Sequence, residues 1–197
     1  QAGVLDGERV DLARFHEALG VIYLARYTAR AYTETQREDG EAAIASLKKA
    51  IELDPGRVNP HYNLGVLYSY RDDIEPAQQA FEAALAIDSM FSAAHKRLGT
   101  IHRQRGFRQK AVDTLEKAVH LTPDDSEALF ALGLAYRDVR NYEPAVECLE
   151  RASELNPLSP KIRLNLANMY MRVGRREEGR TSESGGQGKS FDLGGPR

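Results

Sequence analysis

One cysteine, Cys148, stands in 197 residues, so no intrachain disulfide is possible. No run of 18 apolar residues occurs, which leaves nothing in the sequence to span a bilayer as a helix. Lys and Arg number 27 against 29 Asp and Glu, and the formal net charge is −2. So small an imbalance of either sign argues against nucleic acid and against an anionic membrane surface as partner. There is no Asn-x-Ser/Thr sequon and no His-Glu-x-x-His. The five histidines, His16, His61, His95, His102 and His120, form no metal-ligand cluster. His95 and His102 lie seven apart and share a helix face, but no carboxylate or thiolate is spaced to join them. Cys148 falls in mid-helix and reads as a packed thiol rather than a nucleophile. Residues 183–190, ESGGQGKS, approximate a phosphate loop, but Glu183 holds the place of the required first glycine and no strand precedes it. No catalytic residue, metal or cofactor is expected.

What the sequence does contain is a period. Leu64, Leu98, Leu132 and Leu166 are spaced by 34 residues, and Gly65, Gly99, Gly133 and Ala167 follow them. Ala43, Ala77, Ala111 and Ala145 repeat at the same step. So do Leu47, Phe81, Leu115 and Leu149, and then Ala50, Ala84, Ala118 and Ala152. Pro55, Pro123 and Pro157 close three units, with Ser89 in the fourth slot. A fixed period in this range marks a solenoid of stacked supersecondary units. Each unit reads as two helices: a first helix of about 13 residues, a short turn, and a second helix whose alanines allow close crossing. Pro76 and Pro144 fall in the first turn of a second helix, where proline has no hydrogen bond to lose.

The divisions expected are a polar lead-in at 1–12 that becomes helical near Glu8, an atypical first repeat at 13–57, regular repeats at 58–91, 92–125 and 126–159, a partial repeat or cap at 160–180, and a Gly/Ser-rich flexible tail at 181–197. Leu19 to Leu64 is 45 residues, so the first repeat carries about 11 extra, close to three helical turns. They are placed in a lengthened first helix, roughly Leu24 to Thr35, with the turn at Arg37-Glu38-Asp39-Gly40. That helix is expected either to cap the array or to protrude and dock a partner.

The series Leu-Gly-x-x-Tyr, then Ala, Phe or Leu, Ala and Pro, resembles the tetratricopeptide repeat over roughly residues 13–179. His61 and His95 at the early aromatic slot, His102 in place of the tyrosine, and the long first unit depart from the pattern. The resemblance implies an all-α, right-handed superhelical solenoid of about four and a half antiparallel helix pairs with a concave groove. It also implies a non-catalytic protein-interaction role: a scaffold or adaptor that holds a peptide or another protein.

In that geometry the groove is lined by Asn59, Tyr62, Asn63, Val66, Ser69 and Tyr70, then by Lys96, Arg97, Thr100, Arg103 and Gln104. The later repeats add Glu127, Phe130, Leu134, Arg137 and Asp138, and Lys161, Leu164, Asn165, Asn168 and Arg172. The cations suit a bound acidic segment, and the asparagines suit its backbone. The family's cochaperones use a five-residue carboxylate clamp, of which only Asn63 and Arg97 match; Ala93, Glu17 and Val21 fill the other slots, so no such clamp is expected. Two other classes stay open: a structural or assembly subunit of a multiprotein, even membrane-associated, complex, and the interaction domain of a larger enzyme such as a glycosyltransferase. Self-association is a further expectation for the chain. The sequence starts at Gln1 rather than methionine, so a removed leader and a piece of a longer protein both stand as expectations. A soluble chain is expected, in a cytoplasmic, periplasmic or membrane-complex setting.

Overall fold

The structure is a computed structural model and describes residues 2–29 and 34–174. Nine α-helices account for almost all of the described residues: α1 Ala2–Ala29, α2 Glu34–Leu53, α3 Val58–Tyr70, α4 Ile74–Ile87, α5 Ser92–Gln104, α6 Arg108–Leu121, α7 Ser126–Asp138, α8 Tyr142–Leu155 and α9 Pro160–Arg172. The chain divides into two compact units, Gln1–Arg105 with α1 to α5 and Gly106–Arg197 with α6 to α9.

Local chemistry sets the helix ends. The Asp125 carboxylate caps α7 by accepting from the Glu127 and Ala128 N–H groups at 2.9 and 3.1 Å. Pro160 opens α9 at the position where a missing N–H costs nothing. The turns between paired helices place one residue with left-handed φ at the same step of 34: Asp72 (φ 62), Gly106 (φ 78), Arg140 (φ 64) and Gly174 (φ 83). Glycine accepts this conformation without strain, whereas Asp72 and Arg140 carry a Cβ into it. The turns are closed by Asp73 N–H to Tyr68 C=O and Asn141 N–H to Tyr136 C=O, both 2.9 Å, the six-to-one bond of a Schellman end.

In the first unit α1 packs on α2, α2 on α3, α3 on α4 and α4 on α5. Its core runs from Leu24, Ala43 and Leu67, through Leu47, Leu64 and Ala80, to Phe81, Ala84, Leu98 and Ile101. Two glycines set how closely its helices cross. A Cβ on Gly20 would lie 2.6 Å from the Leu47 side chain, and one on Gly65 would lie 2.6 Å from the Phe81 ring. In the second unit α7 packs between α6 and α8, and α9 lies on α8. There Leu115, Leu132 and Ala135 form one cluster, Leu129, Ala152 and Ile162 a second, and Val146, Leu149 and Met169 a third. Gly133 repeats the crossing rule: a Cβ there would lie 2.8 Å from the Leu149 side chain.

Two expectations about the first repeat are corrected. The stretch taken as a polar lead-in is helical from Ala2, and the Arg9 guanidinium helps to hold α1 by donating to the Leu53 and Glu52 carbonyls at the end of α2. Arg37–Gly40 is not a turn but lies inside α2. Gly40 is there for packing: a Cβ would meet the Tyr27 ring at 3.1 Å. The neighbouring Asp39 is buried and pairs with Arg26 at 3.0 Å. The extra residues therefore lengthen both helices of the first repeat. The tail expected at 181–197, and the end of the partial repeat beyond Gly174, lie outside the described residues.

Candidate functional site

The first helices of two consecutive repeats, α3 and α5, present their open sides to a cavity of about 260 Å³ in the first unit. It is lined by Val66, Ser69, Tyr70, Ile74, Arg97, Thr100, Ile101 and Gln104. Val66, Ile74 and the buried Ile101 supply the apolar wall, and Tyr70 stands 60 % exposed beside it. The polar side chains divide by what they have left to give. The Ser69 and Thr100 hydroxyls donate to the carbonyls of Gly65 (2.8 Å) and Lys96 (3.0 Å) on their own helices. Arg97, Gln104 and Tyr70 have no hydrogen-bond or ion-pair partner among the described residues. The cavity therefore offers unspent donors and spent hydroxyls, an arrangement suited to an acceptor-rich ligand such as a carboxylate beside an apolar side chain.

Arginines next to the cavity are, by contrast, already engaged. Arg71 donates to Glu41 at 2.8 Å and reaches Asp73 at 3.1 Å. The bond to Glu41 raises its pKa, against the smaller opposing effect of burial. Arg105 reaches Gln78 at 2.6 Å and Glu75 at 3.5 Å.

Six of the residues assigned to the groove from the sequence line this cavity: Val66, Ser69, Tyr70, Arg97, Thr100 and Gln104. Asn59 is exposed, whereas Asn63, Lys96 and Arg103 are half-buried. Tyr62 is turned inward. Its ring packs against Phe81 and Phe91 with centroids 5.6 and 5.1 Å away, because an aromatic there gains more from apolar neighbours than from water. Ile74 and Ile101 were not assigned from the sequence. Ile101 repeats the buried slot of Leu67, and Ile74 opens a second helix, so neither carried a groove signal.

In the second unit the groove residues gather between α7 and α9, and they bind one another. Arg137 donates to Asp138 Oδ1 at 2.9 and 3.1 Å and to Asn165 Oδ1 at 3.2 Å. Asn165 in turn donates to the Lys161 carbonyl at 2.8 Å, and the Lys161 ammonium lies over the Phe130 ring at 5.3 Å. Arg172 lies over the Tyr142 ring at 5.8 Å. Glu127, Leu164 and Asn168 are exposed. Leu134 is only 9 % exposed, a correction to its placement on the open face; α7 is packed by both α6 and α8, and a leucine in its middle is covered.

Cys148 is half-buried, and burial pushes its thiol up to about 11, far from a nucleophile's range. Among the described residues no group of three or more His, Cys, Asp or Glu side chains is placed to hold a metal ion, and no helix is long and apolar enough to cross a membrane. His95 Nε2 meets the Ser89 carbonyl at 2.9 Å, and His102 is buried.

Repeated antiparallel helix pairs, crossing at small residues and leaving the first helix of each pair open on one side, define the class: an all-α helix-pair repeat protein. The particular family follows from three matches to repeat models, described as TPR repeat over 31–69 and tetratricopeptide repeat over 62–126 and 126–159. The chain belongs to the tetratricopeptide-repeat family. No curated protein matches the sequence. Among solved structures, MamA from Desulfovibrio magneticus RS-1 (residues 41 to the end) is similar at 23% identity, over 87% of this chain and 91% of that one, with a TM-score of 0.73. PilF of Pseudomonas aeruginosa is similar at 23% identity, over 93% and 80%, with a TM-score of 0.73. YrrB, described as a TPR protein with an unusual peptide-binding site, is similar at 23% identity, over 81% and 80%, with a TM-score of 0.64. At these identities the likeness is one of fold.

Proposed function

We propose that this chain is a protein-interaction scaffold and that the cavity between α3 and α5 receives an extended segment of a partner in which an acidic residue neighbours an apolar one. Arg97 carries the reading. It is an exposed guanidinium at the cavity with no hydrogen-bond or ion-pair partner among the described residues, flanked by Arg71 and Arg105, which have theirs. A guanidinium fork suits a carboxylate, Gln104 and Tyr70 add donors, and Val66, Ile74 and Ile101 take the neighbouring apolar side chain. Peptide binding by the similarly folded YrrB is in keeping with this assignment.

Selection from a random peptide display library on the full chain, with the Arg97→Glu variant as counter-selection, tests it. Enriched peptides should carry Asp or Glu beside Leu, Val or Phe and should lose at least tenfold in affinity on Arg97→Glu. A library that yields no enriched peptide, or peptides that bind both proteins equally, contradicts the proposal.

A further inference from the structure

The end of the first unit formed by α1 carries an apolar face on which Phe15 and Ile22 hold register positions that are covered in the other repeats among the described residues. Leu12, Phe15 and Ile22 are 45 %, 59 % and 55 % exposed, and Leu19 between them is half-buried. The repeat register says what such a face is built for. The counterparts of Ile22 are Leu67, Ile101, Ala135 and Met169, all between 0 and 3 % exposed. Each is covered by the second helix of the repeat before it. Leu67 packs on Ala43 of α2 and Ile101 on Phe81 of α4, while Ala135 packs on Leu115 of α6 and Met169 on Leu149 of α8. The counterpart of Phe15 in α9, Ile162, is 2 % exposed against Ala152 of α8. The occupant that fits the α1 face is therefore another amphipathic helix. In the other repeats that helix arrives through a short linker directly before the first helix. Here the corresponding stretch, where the other repeats place that linker, is itself helix, since α1 runs unbroken from Ala2.

The spacing of the stripe identifies that element. Leu12, Phe15, Leu19 and Ile22 are separated by three, four and three residues, which reads the same in both directions. Two α1 helices laid antiparallel about a two-fold axis bring Leu12 against Ile22 of the second copy and Phe15 against Leu19 of the second copy. The same register brings Glu8 opposite Arg26 of the second copy, twice by symmetry. Glu8 is exposed, with no partner among the described residues. Arg26 gives one nitrogen to Asp39 at 3.0 Å and keeps further N–H donors on a half-exposed side chain. Apolar pairs on a 3-4-3 spacing, closed at both ends by opposite charges, make a self-complementary surface. We infer that the chain self-associates through α1 as an antiparallel two-fold dimer. This surface lies outside the α3–α5 cavity.

Sedimentation equilibrium of the full chain at concentrations on the order of 100 µM, combined with cross-linking, tests the inference. The wild type should sediment as two chains, and Phe15→Glu with Ile22→Glu should sediment as one. Those side chains are already exposed, so helicity and peptide binding should be kept. Glu8→Arg should weaken association about tenfold by setting like charges opposite each other. In a Cys148→Ser background, Leu12→Cys with Ile22→Cys should form a disulfide-linked dimer on mild oxidation. The two sites are about 15 Å apart along one helix, too far to bridge within a chain. Leu12→Cys alone should not link, because the two copies of that position also lie about 15 Å apart in the antiparallel pair. A wild type that sediments as one chain, a Phe15/Ile22 variant of unchanged mass, or single-cysteine variants that link as well as the pair would overturn the inference.

Discussion

The α3–α5 cavity and the α7–α9 face occupy the same repeat positions and carry similar residue types, yet they differ in where their charges go. Between α7 and α9 the cations are consumed at home: Arg137 by Asp138 and Asn165, and Lys161 by the Phe130 ring. At the α3–α5 cavity the position of Asp138 is held by Tyr70 and Gln104, and Arg97, at the register position that Asn165 holds later, has no carboxylate partner among the described residues. A repeat array can thus be basic in one place and neutral in another without a change of fold. What decides is whether the chain supplies the counter-charge or leaves it to a partner.

The comparison can be broken at its foundation first. Gly65→Leu in the first unit and Gly133→Leu in the second push a side chain into Phe81 and Leu149, and each should cost about 3 kcal/mol by overpacking. Urea unfolding measures this, and a variant with an unchanged midpoint would mean that the helices do not cross at that residue. The charge difference is sharpened by Asp138→Asn, which releases Arg137. The variant should gain a few-fold in affinity for acidic peptides, by titration, while losing about 0.5 kcal/mol or less of stability, since the pair is part-exposed. The turns respond in the opposite sense. Asp72→Gly and Arg140→Gly relieve left-handed backbone and should each stabilise by about 0.5–1 kcal/mol, whereas the same exchange has nothing to gain at Gly106.

The smallest effect is one of pH. Burial lowers the His61 pKa below its ordinary 6.5, partly offset by its hydrogen bond to the Pro55 backbone. The unfolded chain therefore takes up this proton first as pH falls. The contribution of His61 is intact above about pH 6.5 and is lost as pH drops towards the lowered folded value. His61→Gln should flatten the loss of stability over that interval, measured by thermal unfolding across pH 7 to 5. An unchanged slope would place the titration elsewhere.

The helix pairs were legible in the sequence because the 34-residue period combines two independent signals, the helical spacing within a unit and the recurrence of small residues between units. The first repeat was less legible. Asp39-Gly40 carries the chemistry of a turn, and only the closeness of the Tyr27 ring and the pairing of Asp39 with Arg26 show why that dipeptide sits within a helix. Glycine signals conformational freedom and absence of bulk with the same letter. At the candidate site the register located Arg97, Val66 and Tyr70, but it could not tell a free cation from a paired one. Arg97 and Arg137 look alike as letters, and the difference lies in side-chain bonds to Asp138 and Asn165. Nor did periodicity anticipate that Leu134 would be covered or that Tyr62 would turn into the core.

The central claim is that Arg97 waits for a carboxylate from outside the chain. The most direct test titrates one selected acidic peptide, and the same peptide with its acid exchanged for lysine, into the wild type and into Arg97→Glu. The wild type should bind the acidic form at least tenfold more tightly, and the variant should reverse the preference. Equal binding of the acidic peptide to both proteins would contradict the account.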